Sequence, residues 1–423
     1  MPARKGPPET ADYPEVGVAA TRSRHKSSRR VGIVATGIGA LAATSAQART
    51  EVDIKYLHYR EQDGRTGVNN PELYFRHDFG DKGQLGMLLS YDSISGASPT
   101  GETPTLDATA RASADSSTIP MAEYSDTRQA ITLSYSRRFG SHLPSVALSY
   151  SKESDYLARG FSLVDSWDLF GGRATLHAGV GMSRDVIEPV DTGNSFSKES
   201  LSFSAGWTQV LGPRDLLDFS IGLDRLDGYL NDPYKLVTAD GVASPENRPQ
   251  SRSRKSAVIK YGHYFLSRGA LKTSYRYYWD DWSVDSHTID LSYDQRIGRR
   301  FIVTPRLRYY RQGAAEFFGY EFATSQPFMT SDYRLSSFWS WLAGIGLTVE
   351  LNDRLSFNIA AAYQNQTGLD RVTPRSAVVP TLLRTAGSLD GSEEDEESEG
   401  VTGTVSAADL KTITGTLGFT IKF

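Results

Sequence analysis

Lys272, Arg276, Asp280, Asp290, Asp294, Arg306 and Arg308 all occupy even positions in segments whose odd positions carry Tyr275, Tyr277, Ile289, Leu291, Leu307 and Tyr309. Successive side chains of an extended chain face opposite sides, so the charges share one face and the apolar groups the other. A hairpin over Lys272–Thr288 centred on Ser283 sets Arg276 opposite Asp290 and Lys272 opposite Asp294, and a second centred on Arg299 sets Arg308 opposite Asp290. Opposite charges attract across paired strands, which makes Arg276, Asp290 and Arg308 a transverse ladder. Such a ladder either neutralises itself and stiffens a wall, or forms a constriction whose field selects solutes, as charged rings do in pores. Lys260 and Arg334 read as further cations of the same face, so bases outnumber Asp280, Asp290, Asp294 and Asp332, and a weak preference for anions is expected.

Other residue types that do chemistry are not arranged for it. His58, His77, His142, His177, His263 and His287 lack metal-ligand spacing, and there are no cysteines. Asp285, Ser286 and His287 are adjacent, but neighbours on a strand cannot converge on one substrate unless they lie in a loop. Neither catalysis nor a metal nor a cofactor is expected. The acidic run Glu393–Glu399 reads as a solvated loop without the spacing of a calcium-binding loop. Asp232–Lys235 and Glu246–Pro249, with Arg252 and Arg254 nearby, bracket a long connection that either folds on itself, enters the lumen or receives a partner.

The elements that position these charges are strands. The last of them sets Ile413, Leu417, Phe419, Ile421 and Phe423 against Thr412, Thr414, Thr416, Thr420 and Lys422, the alternation of a strand between lipid and a polar interior. Membranes accept backbone only as helices or closed barrels, so one such strand implies a barrel. Turn residues recur at Gly80–Gly83, Gly140–Pro144, Gly171-Gly172, Gly212–Arg214, Ser267–Gly269, Gly298–Arg300 and Asn352–Arg354. Between them lie longer connections, notably Ser95–Glu123, Gly228–Ser251, Gly313–Thr330 and Thr367–Gly403. The expected fold is all-β, a transmembrane antiparallel up-and-down barrel of about sixteen strands with short periplasmic turns and long outer loops.

Mean hydropathy is −0.40, too polar for a helical membrane protein. The apolar stretch Val31–Ala43 follows Arg29-Arg30 and precedes Ala46-Gln47-Ala48, the plan of a secretory signal cleaved before Arg49. Residues 1–48 are therefore read as an extension plus signal peptide and 49–423 as the barrel. A formal net charge of −4 gives no bulk attraction to nucleic acid.

Asp92–Pro99, Gly228–Val237, Glu246–Arg252, Tyr275–Thr288 and Pro305–Ala315 together resemble the domain of unknown function 3570 family, a group of predicted outer-membrane proteins; the resemblance runs from about Val52 to Phe423. It implies an outer-membrane location, outer-membrane lipid and the barrel-assembly machinery as partners, and Phe423 as the terminal assembly signal. It also implies a neighbourhood of periplasmic flavin-transfer and thioredoxin-like proteins, and through it a redox-linked partner. The function expected is a porin-like passage for small polar solutes, the alternative being a structural or docking barrel for such a partner.

Overall fold

The computed structural model describes residues 49–106, 117–190, 192–373 and 404–423. Sixteen strands form a closed barrel in which every neighbouring pair is antiparallel and the first strand, Arg49–Glu61, pairs with the last, Leu410–Lys422. At that seam Glu51 faces Lys422, and the Phe423 N–H donates to Thr50 O at 2.9 Å. Phe423 itself stands 70 % exposed just beyond the strand.

Alternation sorts the side chains as the sequence requires. Leu148, Phe203, Phe219, Ile289, Leu307, Ile345 and Leu417 point outward and are exposed, a belt that water would not tolerate but lipid would. Inward positions of the first strand carry Glu51, Asp53, Leu57, Tyr59 and Glu61, all buried. No helix among the described residues is long and apolar enough to cross a membrane.

One end of the barrel consists of short turns, at the seven positions read from the sequence. The other carries the long connections, here L1 (62–66), L2 (100–120), L3 (153–155), L4 (188–195), L5 (229–250), L6 (281–284), L7 (313–337) and L8 (369–409). L5 holds a hairpin of its own, Leu236–Ala239 with Val242–Pro245. L7 is longer than the sequence suggested: it runs past Thr330 through a short 3-10 turn, Tyr333–Leu335, before the next strand begins at Phe338.

Candidate functional site: a charged wall beneath a folded cap

The wall is set by backbone register. Asp290 lies opposite Arg308, as the Arg299-centred hairpin predicts, and accepts from Arg308 Nε at 2.8 Å. Arg306, opposite Ser292, leans one step along the strand and grips the same carboxylate, its Nε 3.2 Å from both oxygens and its Nη2 in closer contact.

The other hairpin corrects the expectation. Ser274, not Arg276, faces Asp290, while Arg276 faces Thr288 and Lys272 faces Ser292, a register offset by two residues. The cause lies in L6. Asp280 Oδ1 accepts from the N–H groups of Trp282 and Val284 at 2.9 and 3.0 Å, and Trp282 is buried with its indole N–H donating to Ser251 O at 2.9 Å. Burying that indole centres the turn on Trp282 instead of Ser283. Arg276 consequently lies over the Tyr278 ring, 5.7 Å from its centre, and is not the third rung of the ladder.

Parity survives a shift of two, so the remaining wall residues still face inward. Lys272 reaches diagonally to Asp294, which also accepts from Thr304 Oγ1 at 2.9 Å. Lys260 lies opposite Asp218, 3.9 Å from its carboxylate. Asp280 is bound by Arg252 at 2.6 Å at the mouth. Arg334 and Asp332 are not wall residues: both belong to L7.

L7 and L5 instead meet over the mouth and bury six ions between them. Asp332 caps the 3-10 turn by accepting from the Arg334 N–H at 3.1 Å. The Arg334 guanidinium binds Asp332 through Nε at 2.8 and 2.9 Å and reaches Asp232 of L5 at 2.7 Å. Arg248 lies 2.7 Å from Glu246 and 2.8 Å from Asp332. Thr330 Oγ1 donates to Glu246 at 2.6 Å, and the other Glu246 oxygen accepts from the Asp232 N–H at 2.5 Å. Lys235 donates to Ser98 Oγ at 2.8 Å and to Pro99 O. Three acids and three bases thus gather here, all buried, the two arginines paired with the acids and Lys235 held by neutral oxygens.

Burial alone would push Asp332 up, but Arg334 and Arg248 outweigh it and hold the carboxyl far below its usual range. Burial dominates at Glu246 and raises it to about 7, Arg248 opposing and Asp232 and Asp332 adding to the rise. Burial likewise lowers Lys235 to about 8 against the pull of Asp332 and Asp232.

Apolar clusters flank the ions. Leu226, Leu230, Trp282, Val284, Ala315, Phe317 and Leu335 form one, and Val237, Ala239, Phe322 and Met329 another. Threads tie the cap to other parts of the rim. Tyr234 of L5 donates to Asp155 in L3 and accepts from the Val190 N–H of L4 at 3.1 Å. Arg65 of L1 lies 4.9 Å over the Tyr333 ring, and Tyr320 of L7 accepts from the Ala407 N–H of L8 at 2.9 Å. Gly101 of L2 adopts φ 91°, and a Cβ there would fall 2.2 Å from Leu236 O of L5, so only glycine lets the two backbones approach. Connections from around the rim therefore join in one cap.

The family model described as "Protein of unknown function (DUF3570)" matches residues 31–373. The chain belongs to this family. No curated protein matches it. Among solved structures, this DUF3570 protein is similar to the siderophore receptor PirA from Acinetobacter baumannii (10 % identity, TM-score 0.44, covering 89 % of this chain and 60 % of that one). It is also similar to a bacterial polysaccharide outer membrane secretin (8 %, 0.45, 88 % and 98 %) and to the CymD monoaromatic hydrocarbon channel (9 %, 0.40, 89 % and 88 %). The chain spans about 60 % of the length of the siderophore receptor.

Two features of the DUF3570 chain fall where sequence reasoning could not assemble them. The buried ions of the cap come from Asp232–Lys235, Glu246–Arg248 and Asp332–Arg334, whose only sequence signal was the motif pair bracketing L5. Carboxylate oxygens of Asp126, Glu153 and Asp155 converge within 4.8 Å of one another, and burial raises Glu153 to about 8. Asp285, Ser286 and His287 do not converge: Ser286 is buried inside, whereas His287 faces outward and shares a hydrogen bond with Tyr275 Oη at 2.8 Å. The acidic run Glu393–Glu399 and the junction after Ala48 lie outside the described residues.

Proposed function

We propose that this protein is a bacterial outer-membrane barrel that passes small polar solutes through a lumen with a weak preference for anions, its outer mouth covered by the L5–L7 cap. The apolar belt supports the membrane location, and the long-loop end is assigned to the outer face. The observation that carries the reading is the wall, where Asp290 is shared by Arg306 and Arg308 on adjacent strands of a closed barrel. A barrel of sixteen strands is wide enough for water unless filled. The cap then acts as the gate, and a path opens when L5 and L7 part.

The test is conductance in planar bilayers of the mature chain and of a variant in which residues 230–249 and 314–336 are replaced by short Gly-Ser linkers. The variant should conduct steadily, and the wild type in brief openings. A capless variant that carries no current overturns the passage reading. That result would favour a docking barrel for a redox-linked periplasmic partner, which the joined loops of the cap also suit.

A further inference from the structure

On the lipid-facing surface at the long-loop end, Arg159 and Arg184 stand directly opposite each other on adjacent strands. Both are exposed, Arg184 by 73 % of its side chain. Like charges directly opposite repel at the few ångströms that separate paired residues, so this arrangement is unfavourable by itself. Lys152, also exposed, follows Tyr150, the residue opposite Arg159, by two positions and so lies on the same face. Among the described residues neither Arg159 nor Lys152 has an ion-pair partner. The acids nearby are engaged further along the row: Glu199 lies 3.7 Å from Arg184, and Asp227 accepts two hydrogen bonds from Arg225.

The level of this group is marked by its neighbours. One step toward the barrel's midline are Leu148, Phe161 and Met182, exposed and apolar, and Tyr150 shares the row with Arg159. Cations on the lipid face are costly at the bilayer centre and nearly free at its edge, so these residues sit where headgroups begin. Two guanidinium forks facing each other are suited to share the oxygens of a phosphate, which accepts paired N–H donors.

We propose that Lys152, Arg159 and Arg184 form a docking site for the phosphate groups of an anionic glycolipid in the outer leaflet. The proposal rests on the outer-membrane reading above. A phosphate bridging the two arginines converts their repulsion into shared attraction, and the acyl chains lie against Leu148, Phe161 and Met182.

Native mass spectrometry of the detergent-solubilised protein tests it, with bisphosphorylated lipid A, the same glycolipid without phosphates, and inorganic phosphate as competitor. Wild type should retain the bisphosphorylated lipid several-fold better than the phosphate-free form. The Arg159→Glu/Arg184→Glu variant should lose that preference, and Arg159→Lys/Arg184→Lys should keep most of it. Undiminished preference after charge reversal overturns the site, and displacement of the lipid by millimolar inorganic phosphate overturns its assignment to lipid. Heat-modifiable gel mobility monitors folding. If the reversed variant does not fold, Glu199→Gln decides: releasing Arg184 should strengthen retention, and no change overturns the proposal. Absence of the protein from outer-membrane fractions would remove the reading beneath it, whereas correct fractionation without lipid preference removes this site alone.

Discussion

The wall and the cap use the same chemistry, arginine against aspartate, in different settings. At the wall, the Asp290 side chain and both its arginines keep 15–16 % exposure and hang from strands whose places are fixed by backbone pairing. In the cap, Asp332 and Arg248 retain 1 %, and L5 is joined to L7 by isolated backbone bridges, Ala239 with Phe322 and Asn247 with Met329, instead of a continuous ladder. Where the backbone already fixes geometry, an ion pair sets a local field. Where backbone pairing is that sparse, the ions help to specify which segments meet, and leaving one of them alone is expensive.

Asp332→Asn should therefore have the largest effect, because it strips Arg334 and Arg248 of their common acceptor. A broken buried network costs about 3–5 kcal/mol, which should appear as faster hydrogen exchange across L5 and L7 and as more frequent channel opening. An effect on exchange no larger than that of a wall substitution would erase the distinction between the two regions.

Acidity should act on the cap next. Glu246 and Glu153 are raised from 4.5 to about 7 and about 8, so the folded protein holds their protons more tightly than the unfolded chain does. The associated stability is fully present below pH 4.5 and is lost as pH rises through 7 and 8. Lys235 works the other way above that window, being lowered from 10.5 to about 8. Thermal midpoints should thus fall between pH 5 and 8. A flat midpoint over that range would mean that the buried carboxyls are ionised throughout.

Asp290→Asn should change stability least, by about 1 kcal/mol or less if the lumen is wet enough to screen its pairs. It removes the acceptor shared by Arg306 and Arg308, so the reversal potential under a salt gradient should move toward anions, more at low ionic strength. Unchanged selectivity in two conducting proteins would make this wall purely structural.

The wall was far more legible in the sequence than the cap. A period of two and turn-forming residues carry strand number, turn positions and the facing of each side chain, because these depend on local sterics and on one apolar surface. Register across L6 was not legible, since it follows from burial of Trp282 among residues contributed by L5 and L7. Arg334 was read as a wall residue for a similar reason: Asp332, Arg334 and Ser336 alternate with Tyr333, Leu335 and Ser337 as a strand would, yet this stretch bends into a turn where Asp332 finds buried partners. Local pattern cannot reveal that both sides of such a segment are to be covered.

The seam between Glu51 and Lys422 also places a condition on time. The first strand to emerge during synthesis has an open edge that only the last can satisfy, and the intervening chain must be complete before the ring shuts. Contacts so distant in sequence form slowly and leave unpaired edges in the meantime. The ring therefore cannot shut before its final strand arrives, which makes the ending segment a clock for closure as well as a piece of wall.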